Sequence, residues 1–311
     1  MMNNYYRLFM KMIKIFSVSV VFAFLFSSCG KEEKLGNAND IPGLGGDTWA
    51  QGPIDKWILD SLTTPFNIDV AYKWNAFALN QLDKNVVPVK EEIVIPVLSA
   101  VKRVWANTYI AEIGGALFKS YVPKFFVLAG SGAYNYDGTV LLGQAGGGRQ
   151  IFLLELNYFR NKTMPGYVTL DTVIQKETFH TVEHEFAHIF DQTKKRPFDF
   201  DKINQGLYSS DWINVGNTEA RKDGFISAYA SSVAAEDFAE MVSIMLIEGK
   251  GGFDKIVNDI TGTSTHGTTV DEAKAKLHQK EAVIVDYFKK SWNIDFYSLQ
   301  ARTRAAIQAE F

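Results

Sequence analysis

Hydrophobic and polar positions change period several times along the 311-residue chain, and each change marks an element. An apolar run at 15–26 follows Arg7, Lys11 and Lys14 and precedes Ser27-Ser28-Cys29-Gly30. A positive segment, a short apolar core and small residues before a cleavage point form a secretory signal, and the run is too short for a comfortable transmembrane helix. Residues 30 to about 50 are rich in Gly, Asn and Asp and read as a flexible tether. A short helix is predicted over 54–62. Residues 68–74 alternate as a strand introduced by Pro65 and Asn67. From 90 to 118 apolar residues recur at three and four (Ile93, Val94, Val97, Leu98, Val101, Val104, Trp105), which predicts a helix. Pro96 implies a kink or a late start, and Gly114-Gly115 an interruption. Strands are predicted at 122–129, 139–143 and 151–156, with a turn at 131–138 and a glycine loop at 145–148.

The second half reads differently. After a loop at 160–170, a helix is predicted over 172–193, ending before Pro197. Residues 194–218 read as loop. A helix over 234–248 stops at Gly249, and 251–252 and 261–269 are loops. A helix capped by Asp271 runs to 292, and a last one covers 299–309. There is no internal repeat. Strands early and helices late predict an α+β fold with one small twisted sheet and a mostly helical C-terminal part.

Composition narrows the class. A hydrophobic fraction of 47% supports a substantial core, and a net charge of −3 argues against a nucleic-acid binder. Aromatics make up 14%, which reads first as core. The single cysteine, Cys29, excludes an internal disulfide. Its place after Ser-Ser looks like a bacterial lipobox, in which the thiol is acylated and becomes the mature N-terminus, although Phe26 stands where Leu or Val is commoner. Gly30-Lys31-Glu32-Glu33-Lys34 resembles the surface-export signal of Bacteroidota lipoproteins. The expected organisation is a signal peptide at 1–28, a tether at 29–50 and one domain at 51–311. Gly146-Gly147-Gly148 could cradle phosphate, but no Lys-Ser/Thr follows and no helix opens there. A turn, or an edge that meets an extended peptide, fits better.

The chemistry concentrates in the helix over 172–193, which contains His184-Glu185-x-x-His188. Residues four apart share a helical face, so both imidazoles can aim at one metal ion while Glu185 sits beside it to take a proton from water. The chain has only 5 histidines, which makes a chance match uncommon. Val182, Phe186, Ile189 and Phe190 form an apolar stripe that would bury the opposite side. A rival register overlaps it, because His180-x-x-Glu183-His184 is the inverted zinc motif. A third ligand has to choose. Glu219, Glu236, Asp237 and Glu240 are all candidates; the last three share a predicted helix, where an acidic start also suits the helix dipole. His266, in a loop, could reach the cleft, while His278 sits in a charged helix and faces solvent.

The pair His184-Glu185-Phe186-Ala187-His188 and Glu236-Asp237-Phe238-Ala239-Glu240 resembles the Glu-ligand zincins (gluzincins), especially anthrax lethal factor-like metallopeptidases. The resemblance covers roughly residues 171–248. It implies a zincin-like domain with Zn²⁺ on His184, His188 and Glu236, and with Glu240 supporting a ligand from behind. It also implies Tyr229, seven residues before the ligand Glu, as the oxyanion stabiliser. His180 then becomes a neighbour, and Glu183 a surface or supporting carboxylate. With its lipobox, the whole chain also resembles the Bacteroidota family of substrate import-associated zinc metallohydrolase lipoproteins. One departure is Glu183, where that family often has a hydrophobic residue before the first His.

The expected activity is hydrolysis of peptide bonds in a peptide or protein substrate, with Glu185 as general base. The resemblance places the chain on the outer membrane, surface-exposed or else periplasm-facing, held by lipid at Cys29 and near a Sus-like TonB-dependent import complex. The alternatives are an inactive zincin-fold binding lipoprotein accessory to such an importer, and a non-peptide amidase on the same site.

Overall fold

The computed structural model describes residues 50–73, 86–134, 140–141 and 150–311. The signal, Cys29, most of the tether and Gly146-Gly147-Gly148 lie outside the described residues. Helix α1 (Pro53–Ile58) opens with Pro in its first turn and with the Gly52 amide donating to Asp55 Oδ2 at 2.7 Å. It continues through a wide π-helical turn (Leu59–Thr63) and a last turn (Thr64–Phe66), then stops at Asn67 in the left-handed region. Strand β1 (Asp69–Ala71) follows.

Helix α2 (Glu91–Val101) passes through Pro96, a π-helical segment (Lys102–Ala106) extends it into α3 (Asn107–Ile113), and α4 (Gly115–Tyr121) follows. Pro96 lies inside this helix, where its missing N–H leaves the Glu92 carbonyl without that intrahelical donor, and the expected interruption falls at Gly114, φ 78°. These helices form the crossover to β2 (Phe125–Leu128). A hairpin of β3 (Ala133–Tyr134) and β4 (Val140–Leu141) precedes β5 (Gln150–Leu153). The sheet order is β1-β2-β5, with both pairs parallel: Val70 lies opposite Phe126, and Phe126 opposite Ile151. Phe126 and Leu128 belong to the main core, whereas Val127 packs with Val86, Ala129 and Ala133. Both faces of β2 are therefore covered, as parallel strands require.

The rest is helical: α5 (Thr172–Thr193), α6 (Phe198–Ile203), α7 (Asn217–Lys222), α8 (Ala234–Asn258), α9 (Val270–Trp292) and α10 (Phe296–Glu310). The architecture is α+β, as expected. Residues 50–311 form one unit. No described helix is long and apolar enough to cross a membrane.

Three differences from the pattern have physical causes. The segment 194–218 contains α6 and a 3-10 turn, Trp212–Asn214, because single apolar residues such as Phe200 anchor short helices that carry no period. Thr269 rather than Asp271 caps α9, accepting from the Glu272 amide at 3.3 Å. Helix α8 does not end at Gly249. The backbone breaks there, φ 69°, and resumes helix to Asn258. A Cβ at Gly249 would meet Arg304 Cγ at 2.9 Å, and Arg304 Nη1 caps the Ile247 carbonyl at 2.8 Å.

Helix α5 is held by its apolar stripe. Phe186 packs edge-on against Trp105 (5.2 Å between centroids) and Tyr109 (4.8 Å), and Phe190 against Trp292 (4.6 Å). Burying each such ring is worth about 1.5–3 kcal/mol before geometry is counted. With one face pinned to the Lys102–Ala106 segment, α3 and α9, the other face is presented to α8.

Candidate metal centre

Helices α5 and α8 run antiparallel, and side chains along α5 meet α8 in reverse sequence order. Lys176 pairs with Glu248, His180 with Glu240, and His188 with Glu236. Two histidine–carboxylate groups result, His184/His188/Glu236 and His180/His184/Glu240. Within each, the donor atoms lie within 4.8 Å of one another.

In the first group His184 Nε2 is 3.0 Å from Glu236 Oε2, His188 Nε2 is 3.1 Å from the same oxygen, and the two nitrogens are 3.1 Å apart. His184 Nδ1 is hydrogen-bonded to Glu240 Oε1 at 2.8 Å. The Nδ1–H therefore donates to Glu240 and the Nε2 lone pair points at Glu236 and His188. Lone pairs converging at such distances repel unless positive charge lies between them. Burial pulls the His184 pKa down, yet the bonds to Glu236 and Glu240 outweigh it and raise the pKa to about 10. Burial likewise opposes the charge on Glu236, and the bonds from His184 and His188 overcome it and hold that carboxyl far below its usual range. The geometry favours positive charge where these three atoms converge. The donor set of two imidazoles and a carboxylate is that of a zinc site with one position left open.

Glu185 supplies a second observation. It is buried, which raises its pKa against the lowering effect of His184 and His188, and its Oε2 has no hydrogen-bond partner. An orphaned acceptor beside the triad is what a base waiting for water looks like. The residues present therefore fit a metal ion with a water beside it.

Behind the triad, Glu240 takes His180 Nε2 at 2.8 Å on the oxygen that also takes His184, and Ser227 Oγ at 2.6 Å on the other. Tyr229, at the start of a 3-10 turn (Tyr229–Ser231), lies nearly parallel to the His184 ring at 5.8 Å and against Trp212 at 4.8 Å. Burial and the carboxylates of Glu236, Glu185 and Glu240 push its pKa up, so it is a neutral phenol with a proton to donate.

The other candidates point elsewhere. Glu183 was expected at the surface or in support of a ligand. It is fully buried on a flank of α5, where Tyr109 OH donates to its Oε2 at 2.9 Å. Glu183 and Glu185 flank His184 on either side, about 200° apart around the helix; Tyr109 holds Glu183, Glu185 lies by His188 and Glu236, and the inverted motif loses its base. Asp237 turns into the core onto Lys280, and Glu219 pairs with Lys222 at 2.7 Å. His266 bonds Asp223 at 2.7 Å and belongs to neither metal-binding group, while His278 is mostly exposed beside Glu281. Ser227 was missed. It lies two residues before Tyr229, and nothing in its spacing marks it.

An α+β core with a HExxH helix, a glutamate helix packed antiparallel to it and donors poised for a cation defines a zinc metallohydrolase type of protein. Residues 47–297 match the family described as "Putative zinc-binding metallo-peptidase", and the chain belongs to that family. The crystal structure of a protein from Bacteroides caccae described as a "putative zinc-binding metallo-peptidase" is similar to it, at 27% identity and a TM-score of 0.62. That likeness covers 82% of this chain and 91% of the other. No curated protein matches the sequence. Zinc is accordingly the metal of this family, and the histidine and glutamate groups that could hold it are in place.

Proposed function

We propose that the chain is a zinc peptidase of the gluzincin type, with His184, His188 and Glu236 as ligands. The observation that carries this is the convergence of His184 Nε2, His188 Nε2 and Glu236 Oε2 within 3.1 Å, beside the unpartnered Glu185 Oε2. When bound, zinc supplies a Lewis acid that lowers the pKa of water and polarises a carbonyl. Glu185 takes the proton of the attacking water at Oε2 and returns it to the leaving amine. Its raised pKa suits both halves of that transfer. Tyr229 donates its phenolic proton as a hydrogen bond to the oxygen on which negative charge develops. Glu240, through His184 Nδ1, holds the ligand ring in one tautomer.

The test is Glu185→Gln in the full chain, scored with a peptide library and a zinc assay. Zinc stays bound and hydrolysis is lost. Cleavage retained by that variant refutes the mechanism, and zinc without cleavage in the wild type points to a binding protein instead. The location belongs to the same proposal. The signal-like segment before Cys29 supports a lipid anchor in the outer membrane, facing peptides in transit to a Sus-like importer. Acylation that survives Cys29→Ala would remove that support.

A further inference from the structure

The least expected charge in the molecule lies behind the glutamate helix. Lys280 of α9 and Asp237 of α8 form an ion pair at 2.6 Å, and both side chains have 0% exposure. Burial lowers the Lys280 pKa and raises that of Asp237, each against the pull of its partner. Such a pair is weak evidence of stabilisation, since apolar residues of similar volume usually do as well. Its partners suggest what keeps it. Lys280 Nζ also donates to the Gly224 carbonyl at 2.8 Å and lies over the Phe225 ring at 4.6 Å. Tyr208 OH donates to Asp237 Oδ2 at 3.0 Å.

Gly224 begins the strap 224–231, which ends in the turn carrying Tyr229. Its φ of +83° and the 2.7 Å approach of Lys276 Cβ to a would-be Cβ leave room only for glycine. Three residues on, Ser227 Oγ donates to Glu240 and accepts from the Ala230 amide at 3.1 Å. Asp237 adjoins Glu236 in sequence, so one ammonium holds the start of the strap and the turn of α8 that bears the proposed ligand. We infer that Lys280 is a positioning residue: it fixes the strap with Ser227 and Tyr229 against the Glu236–Glu240 face of α8. It acts through Gly224 and Asp237 and touches no reacting atom. An apolar isostere could fill its volume but could not hold the strap carbonyl.

This inference rests on the reading of Tyr229 and Glu236 given above, and the experiment separates the two. Lys280→Met alone leaves a buried unpaired carboxylate and can fail to fold, so it is paired with Lys280→Met/Asp237→Asn, which buries no charge and keeps an acceptor for Tyr208. Amide exchange of residues 225–231 in the full chain, with zinc present, is the first readout. The double variant is expected to melt close to the wild type, while Ala230 and Ser231 exchange roughly tenfold faster or more. On a fluorogenic peptide cleaved by the wild type, kcat falls roughly tenfold to a hundredfold with KM nearly unchanged, because the donor is misplaced rather than the substrate lost. A double variant with wild-type exchange across 225–231 overturns the inference, as does unchanged kcat. If the wild type cleaves nothing, exchange alone decides, and it is the peptidase reading that has failed.

Discussion

Glu240→Gln is the substitution that best separates the two carboxylates of α8. Glu240 sits between His180 and His184, both at 2.8 Å, and accepts from Ser227 at 2.6 Å. An amide keeps the size but loses the charge, and it has one acceptor oxygen where three donors converge. The His184 Nδ1–H bond that fixes the tautomer is then weakened or replaced by an N–H facing it. Outer-shell carboxylates of this kind are worth roughly 10–100-fold in metal affinity, or about 1.4–2.7 kcal/mol. Glu236→Gln removes a donor at 3.0–3.1 Å from both imidazoles and has to cost more. Competition with a chromophoric chelator, on both variants at one pH, measures the two dissociation constants. Equal losses, or a larger loss for Glu240→Gln, would mean that Glu240 is the ligand and that the assignment of roles on α8 is reversed. No loss for Glu240→Gln would mean that the His184 tautomer needs no support.

Other outcomes follow from geometry already described. Tyr229→Phe keeps zinc bound and lowers kcat by roughly 10²–10³, the usual cost of one oxyanion donor, measured on any peptide the wild type cleaves. Phe186→Ala empties a site lined by Trp105, Tyr109 and Phe118, costs about 3–5 kcal/mol in chemical denaturation, and loosens the histidine helix with it. Glu183 holds its proton in the folded chain up to about pH 8, because burial outweighs the Tyr109 bond, whereas the unfolded chain releases it near the ordinary 4.5. The folded state thus binds more protons, and stability falls as pH rises through that window. Glu183→Gln flattens the slope of melting temperature against pH between 5 and 8 while zinc and activity persist, and an unchanged slope would show that Glu183 does not carry it.

Legibility in the sequence followed period and chemistry. The histidine helix was readable from both, since its apolar stripe and its ligand face obey one 3.6-residue repeat. The parallel sheet is readable only as separate strands, because the order β1-β2-β5 depends on pairings such as Asp69 with Phe125 and Phe125 with Gln150, which join strands far apart in the chain. Glu183 was misplaced because charge suggests surface, and only the fold supplies Tyr109 as a buried donor. Gly249 reads as a stop because glycine punctuates helices, while its actual neighbour, Arg304, arrives from the last helix of the chain. Ser227 and Lys280 had no signature at all. Their roles are set by atoms that meet across three elements.

The antiparallel seam of α5 and α8 has the character of a screw thread. Histidines recur every turn on one helix and glutamates one turn apart on the other, and His184 belongs to both groups. Sliding α8 by one turn, about 5.4 Å, would offer Glu240 to His184 and His188 in place of Glu236. Residue identity alone therefore does not say which glutamate meets the ion; the register does. Lys176 clamped on both oxygens of Glu248, and the break at Gly249 seated on Arg304, are the stops that keep the thread from turning. The position of the proposed zinc site is thus stored more than two turns away from it, in an ion pair and a glycine that never approach it.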